Sequence, residues 1–170
     1  MNDLLPMPAP IAKPRVVRHA KRRILLVDDD RAIRQILLRL LEDEDYFVLA
    51  APNGVEALAL ANATKFDLAL LDLSMPLKDG WETFKQLSTK NPELPVILIT
   101  ARSNQFFPAL ASGVDALLEK PLDFVKLFHT IRDLLEEPPQ ARVERFLGRP
   151  SAFRFIPSEA DEPKGNHKFK

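Results

Sequence analysis

The chain has 170 residues, no cysteine and a formal net charge of zero, which allows one core of ordinary size and excludes a disulfide framework or a thiolate metal site. No apolar run approaches the roughly 20 residues that span a bilayer, and Pro6, Pro8, Pro10 and Lys13 interrupt any signal-peptide core, so a cytoplasmic protein with no membrane contact is expected. The neutrality hides a division, because residues 1–23 carry net +5, residues 24–137 net −8 and residues 138–170 net +3, and so acidic a body is a poor surface for duplex nucleic acid.

Residues 1–22 hold four prolines before Arg15 and no periodic apolar pattern, which predicts a flexible, basic leader. Ile24-Leu25-Leu26-Val27 is an unbroken apolar run that suits a strand buried on both faces, and it ends in Asp28, Asp29 and Asp30. From Arg31 the period changes: Ile33, Ile36, Leu37, Leu40 and Leu41 share one face of a helix that Asp30 would cap. Tyr46 to Ala50 reads as a short strand, and Asn53-Gly54 as a turn into an Ala-rich helix from Val55 to Ala63.

Leu68 to Leu71 is a second unbroken apolar run, and it also ends on a carboxylate, Asp72. Trp81 to Lys90 then reads as a helix stopped by Asn91-Pro92, Pro95 to Thr100 as a fourth buried strand and Asp115 to Glu119 as a fifth, running into Lys120-Pro121. A last helix, capped by Asp123, carries the stripe Phe124, Leu127, Phe128, Ile131 and Leu134. Five strands alternating with helices predict an α/β fold, a doubly wound parallel sheet with helices on both faces. The sheet domain is placed at residues 23–137. Residues 138–170 are too few for a second domain and read as a tail with a short helix near Ala141 to Leu147.

Ligand sites in open parallel sheets lie beyond the carboxyl ends of the strands. That rule gathers Asp28 and Asp29 after the first strand, Asp72 after the third, Thr100 after the fourth and Lys120 after the fifth. Three acids in one crevice repel one another, and a divalent cation is the natural compensation. Oxygen donors without His or Cys favour a hard ion such as Mg²⁺. A hydroxyl and an ammonium at the same rim suit the oxygens of a phosphoryl group carried by a carboxylate.

Val27-Asp28-Asp29, Asp72-Leu73-Ser74-Met75-Pro76-Leu77-Lys78-Asp79-Gly80, Ile99-Thr100-Ala101 and Glu119-Lys120-Pro121 occur in that order, and together they resemble the receiver domain of two-component response regulators. The resemblance covers residues 24 to about 136 and implies a flavodoxin-like receiver with strand order 2-1-3-4-5. It implies that Asp72 accepts a phosphoryl group from a phosphohistidine of a sensor histidine kinase or a histidine phosphotransfer protein. Asp29, Asp72 and the backbone carbonyl of Ser74 would hold Mg²⁺, with Asp28 acting through a water. Lys120 would pair with Asp72 and then with the phosphoryl oxygens, and Thr100 would move inward to them. Asp30 is read as a helix cap, Asp79 as a turn residue, and His19, His129 and His167 as non-catalytic.

Two places depart from the family pattern. Leu117 stands where many receivers have an aromatic residue that reports phosphorylation, and Pro108 falls inside the fourth helix, which should start near Phe107 or be distorted. Phe106 and Phe107 would form a partner patch or pack back onto the sheet. The expected protein is a stand-alone receiver, monomeric or weakly dimeric, without a DNA-binding domain. It would act through an unidentified downstream protein and would not be a dedicated enzyme beyond slow hydrolysis of its own acyl phosphate. The alternative is an interaction module that keeps the fold and signals without phosphorylation.

Overall fold

A computed structural model describes residues 20–75, 80–102, 104–147 and 153–158. The leader up to residue 19, the Pro76 to Asp79 turn, and His19 and His167 therefore lie outside the described residues.

Six strands form one parallel sheet in the order β2-β1-β3-β4-β5-β6. They are β1 (Arg23–Val27), β2 (Phe47–Ala51), β3 (Leu68–Asp72), β4 (Val96–Thr100), β5 (Ala116–Glu119) and β6 (Arg154–Ile156). The helices are α1 (Arg31–Asp43), α2 (Gly54–Ala63), α3 (Gly80–Lys90), α4 (Phe106–Ser112), α5 (Phe124–Glu136) and α6 (Pro139–Phe146). The doubly wound α/β fold is the one expected from the apolar runs, with one strand more than the five read from the sequence.

Successive strand residues point to opposite faces, so the unbroken runs supply two cores. Leu25, Val27, Ala69, Leu71, Val96, Leu98 and Leu117 pack against Ala57 and Leu58 of α2, Phe84 and Leu87 of α3 and Ala109 of α4. On the other face Ile24, Leu26, Leu68, Leu70, Ile97, Ile99 and Leu118 meet Leu37 and Leu41 of α1 and Leu127, Ile131 and Leu134 of α5. The helix starts are set by side-chain caps. Asp30 accepts from the amides of Ala32 and Ile33, Asn53 from Glu56 and Asp123 from Lys126.

α4 begins at Phe106, one residue before the expected start, so Pro108 is its third residue. The amides of a first helical turn have no intrahelical acceptor, so a proline there sacrifices no hydrogen bond. The helix ends on Gly113, whose φ of 72° is the left-handed conformation that favours glycine at a helix end.

The sixth strand comes from the segment read as a tail. Arg154, Phe155 and Ile156 pair in parallel register with Ala116, Leu117 and Leu118. The chain reaches this position through α6, which crosses the amino-terminal edge of the sheet and is fastened there by buried arginines. Arg142 donates to the carbonyls of Leu94 and Gly113, and both Arg142 and Arg145 pair with the fully buried Asp115 at 2.8 Å. Arg145 also pairs with Glu137, which in turn meets Arg154 at 3.6 Å. Part of the basic surplus after residue 138 is thus consumed by the acidic body of the same chain.

Candidate functional site

The parallel register brings the carboxyl ends of the central strands to one level: Asp72 stands opposite Ile99, and Thr100 opposite Glu119. Asp28 and Lys120 follow their strands directly. Three of the carboxylates converge, with one oxygen from each of Asp28, Asp29 and Asp72 lying within 4.8 Å of the others. Asp28 and Asp72 are buried, whereas Asp29 is exposed and opens the cluster to solvent.

Lys120 bridges the two buried acids, its ammonium lying 2.8 Å from Asp72 Oδ2 and 3.2 Å from Asp28 Oδ2. Burial works to lower the pKa of that ammonium, but the hydrogen bond to Asp72 and the charges of Asp72 and Asp28 outweigh it and hold the pKa above its ordinary value. Burial pushes the Asp28 carboxyl up; the charge of Lys120 opposes this and that of Asp72 adds to it. The Lys120–Pro121 peptide bond is cis.

The backbone holds these groups in place. The Ser74 amide donates to Asp72 Oδ1 at 3.0 Å and the Asp30 amide to Asp28 Oδ1 at 2.8 Å. Ser74 Oγ is buried and has no hydrogen-bond partner among the described residues. Gly80 lies so close beneath the β3 terminus that a Cβ there would sit 2.5 Å from the Asp72 carbonyl oxygen and from the Leu73 Cα, so only glycine lets α3 begin at this spot. Thr100 is fully buried at the end of β4; its hydroxyl accepts from the Arg102 amide at 3.0 Å and so faces its own loop. His129 is an exposed residue of α5.

Two positioning groups escape the sequence reading. Arg34 donates to the backbone carbonyls of Asp28 at 2.6 Å and Asp29 at 3.3 Å, clamping the turn that presents the acids. By sequence it is one of several arginines on α1, and only its place one turn after the Asp30 cap hints at this reach. Trp81 Nε1 donates to Gln105 Oε1 at 2.9 Å, tying the start of α3 to the residue before α4. A cleft of about 590 Å³ lined by Arg22, Asp67, Lys90, Pro139 and Arg142 opens at the amino-terminal edge of the sheet, and none of the clustered acids lines it.

Chemically, the carboxyl edge is a charge-compensated carboxylate site. One nearly buried carboxylate, Asp72, is held between an ammonium and a backbone amide, and two further acids stand ready for a hard cation. All donors are oxygen, and the open Asp29 side leaves room for the waters that Mg²⁺ retains, so the residues fit that ion. A doubly wound parallel sheet with an acid cluster and a lysine at its carboxyl edge is the architecture of receiver-like α/β proteins.

The particular family follows from comparison. Residues 24–132 match the model of the response regulator receiver domain, and the chain belongs to that family. It is 39% identical over 132 residues to response regulator MprA of Mycobacterium sp. (strain KMS), an alignment covering 74% of this chain and 57% of that protein. It is 36% identical over 130 residues to transcriptional regulatory protein GlrR of Escherichia coli (strain K12), covering 75% of this chain and 29% of that protein. The chain therefore spans only part of the length of these relatives.

Among solved structures, a CheY-like receiver domain protein from Methanospirillum hungatei JF-1 matches with a TM-score of 0.66 and 32% identity, over 69% of this chain and 95% of that one. Response regulator protein TrrA from Thermotoga maritima, in complex with Mg²⁺-BeF, matches with a TM-score of 0.63 and 33% identity, over 66% and 98%.

Proposed function

We propose that the chain is a phosphorylation-dependent switch whose acceptor is Asp72. The observation that carries this reading is the meeting of Asp28, Asp29 and Asp72 within 4.8 Å with Lys120 bridging the two buried members. In the transfer a carboxylate oxygen of Asp72 attacks the phosphorus of a phosphohistidine. The P–O bond forms, the P–N bond breaks, and the imidazole nitrogen keeps the bonding pair and takes a proton from solvent. Asp29, Asp72 and the Ser74 carbonyl would hold Mg²⁺, with Asp28 acting through a water. When bound, the ion supplies positive charge to the phosphoryl oxygens.

The chain's own residues do the rest. Lys120 turns from the free carboxylate to the phosphoryl group and offsets the charge developing on it. The Ser74 amide and the Arg34 clamp keep the acids in register, so that little reorganisation is needed at the moment of transfer. The Thr100 hydroxyl leaves the Arg102 amide and donates to a phosphoryl oxygen. The donor would be a sensor histidine kinase or a histidine phosphotransfer protein, a reading supported by the structure of TrrA in complex with histidine kinase ThkA. Output passes through altered protein contacts, and the only turnover is slow hydrolysis of the acyl phosphate.

Intact-mass measurement after incubation with Mg²⁺ and a small acyl or amidophosphate donor tests this. A single phosphoryl adduct that requires Mg²⁺ and is lost in Asp72→Asn is expected. No adduct, under conditions that modify an authentic receiver, would replace this reading with a phosphorylation-independent interaction module.

A further inference from the structure

The segment Phe153 to Ser158 is fastened to the body at three levels. At the lower end the Arg154 amide donates to the Asp115 carbonyl at 3.1 Å and the Arg154 guanidinium meets Glu137. In the middle, the Phe106 ring packs edge-on against Phe153, with centroids 5.7 Å apart, and against Phe155, 5.0 Å apart. At the upper end the Ser158 amide reaches the buried carboxylate of Glu119 at 3.4 Å, and Glu119 immediately precedes Lys120.

Two of these fastenings belong to elements of the acidic rim. Phe106 opens α4 and is joined to Thr100 by a short loop, while Glu119 is the last residue of β5. The partner of Leu117 in the sheet register is Phe155, so the aromatic ring beside this core position comes from β6.

The direction of coupling follows from the strand order. Asp72 ends β3, and β4, β5 and β6 follow in sequence across the sheet. Resting on the acceptor reading above, a Thr100 hydroxyl that leaves the Arg102 amide for a phosphoryl group on Asp72 moves towards β3, hence away from β6. The loop carries Phe106 with it, out of its contacts with Phe153 and Phe155. The edge-on ring pairs are lost, and the three-residue strand, short for stable pairing, is left with only its backbone bonds and its two end contacts and opens more readily.

We infer that Phe153–Ser158 is a strap over the β5 edge that phosphorylation of Asp72 releases through Phe106. The resting chain thus covers its own strand edge, and the phosphorylated chain exposes the backbone of Ala116–Glu119 together with the Phe106 ring. Because coupling is reciprocal, loosening the strap favours the phosphorylated arrangement of the rim.

Amide hydrogen exchange on the full chain, with and without Mg²⁺ plus beryllofluoride as the phosphoryl mimic, tests the strap. Expected are slower exchange around Asp28 and Asp72, reporting that the mimic is bound, and exchange at Arg154–Ile156 faster by about fivefold or more. Bound mimic with unchanged or slowed exchange in β6 overturns the strap and leaves the acceptor reading standing. No change at the acidic rim overturns the acceptor reading itself.

Phe155→Ala, at a side chain 36% exposed and outside both cores, provides the reverse arm. Faster β6 exchange without ligand and tighter binding of the mimic by a few fold are expected. Faster exchange with unchanged affinity would overturn the coupling.

Discussion

Asp29 and Asp72 are both acids of the rim, yet their surroundings give them different duties. Asp72 is nearly buried and paired with Lys120, which holds its carboxylate in one orientation, as the proposed acceptor role requires. Asp29 is exposed and forms no part of either core, and on the proposed reading it contributes a charge to Mg²⁺. Asp29→Asn is therefore expected to alter folding stability by no more than about 0.5 kcal/mol while weakening Mg²⁺ affinity by about tenfold or more. Titration of Mg²⁺ against the fluorescence of Trp81, the single tryptophan of the chain, measures it. Unchanged Mg²⁺ affinity would remove Asp29 from the ligand set. The hydrogen bond from Trp81 to Gln105 ties this α3 reporter to the residue just before Phe106.

At the scale of elements, α4 is the place where expectation and structure are most usefully compared. A proline inside a helix costs about 3 kcal/mol, so Pro108 suggests a defect when its position in the helix is unknown. With Phe106 as the first helical residue, Pro108 falls in the first turn, where its fixed φ is already suitable and its missing amide is not needed. Its remaining effect is to narrow the unfolded ensemble. Pro108→Ala is accordingly expected to lower stability by about 0.4–1 kcal/mol. Equilibrium urea denaturation decides between this and the gain of several kcal/mol that removal of an interior proline would bring. The seven residues of α4 and the left-handed Gly113 that ends it keep the helix short, so Phe106 is set mainly by the loop before it.

At the scale of the whole molecule, the sheet has two charged edges. The carboxyl edge holds the acid cluster, and the amino edge holds Asp115 with Arg142 and Arg145. Burial pushes the Asp115 carboxyl up from its ordinary value, opposed by the charge of Arg142, and burial likewise lowers the Arg142 guanidinium, opposed by Asp115. Each ion is tolerated only because the other is present. Asp115→Asn would take the paired carboxylate from the buried Arg142 guanidinium and leave Arg145 with Glu137 alone, and is expected to cost about 3–5 kcal/mol in denaturant unfolding. A loss under 1 kcal/mol would mean that α6 detaches at little cost.

Glu137 gives the same network a pH signature. The hydrogen bond from Arg145 holds its carboxyl below the ordinary value of 4.5, with burial opposing and the charge of Arg145 assisting. A depressed acid binds fewer protons folded than unfolded, so its contribution is full above about pH 4.5 and is lost as pH falls through the folded value. The stability difference between the native chain and Glu137→Gln is expected to be constant from pH 7 to about 5 and to shrink below 4.5. A difference that instead grew on acidification would contradict the assignment.

Much of the receiver body was legible from local patterns. Unbroken apolar runs ending in acid at Val27-Asp28 and Leu71-Asp72 announce strands buried on both faces and the edge where they terminate, and Asp30 and Asp123 announce helix starts. These signals act over a few residues, and the parallel α/β rule assembles them without further information. Local pattern thus determined five strands of the sheet, the buried faces of α1 and α5 and the gathering of Asp28, Asp29, Asp72, Thr100 and Lys120 at one edge, whereas the strand order 2-1-3-4-5 was implied by the resemblance to receivers. Only the tertiary structure decided the fate of the basic tail. Arg142 and Arg145 look like solvated charges along the chain, because a guanidinium in water needs no partner. They become core residues only when Asp115, some 30 residues away, is buried where its charge must be met. Arg154-Phe155-Ile156 is likewise too short to read as a strand; the open edge of β5 and the Phe106 ring make it one, and those partners exist only after the sheet has formed.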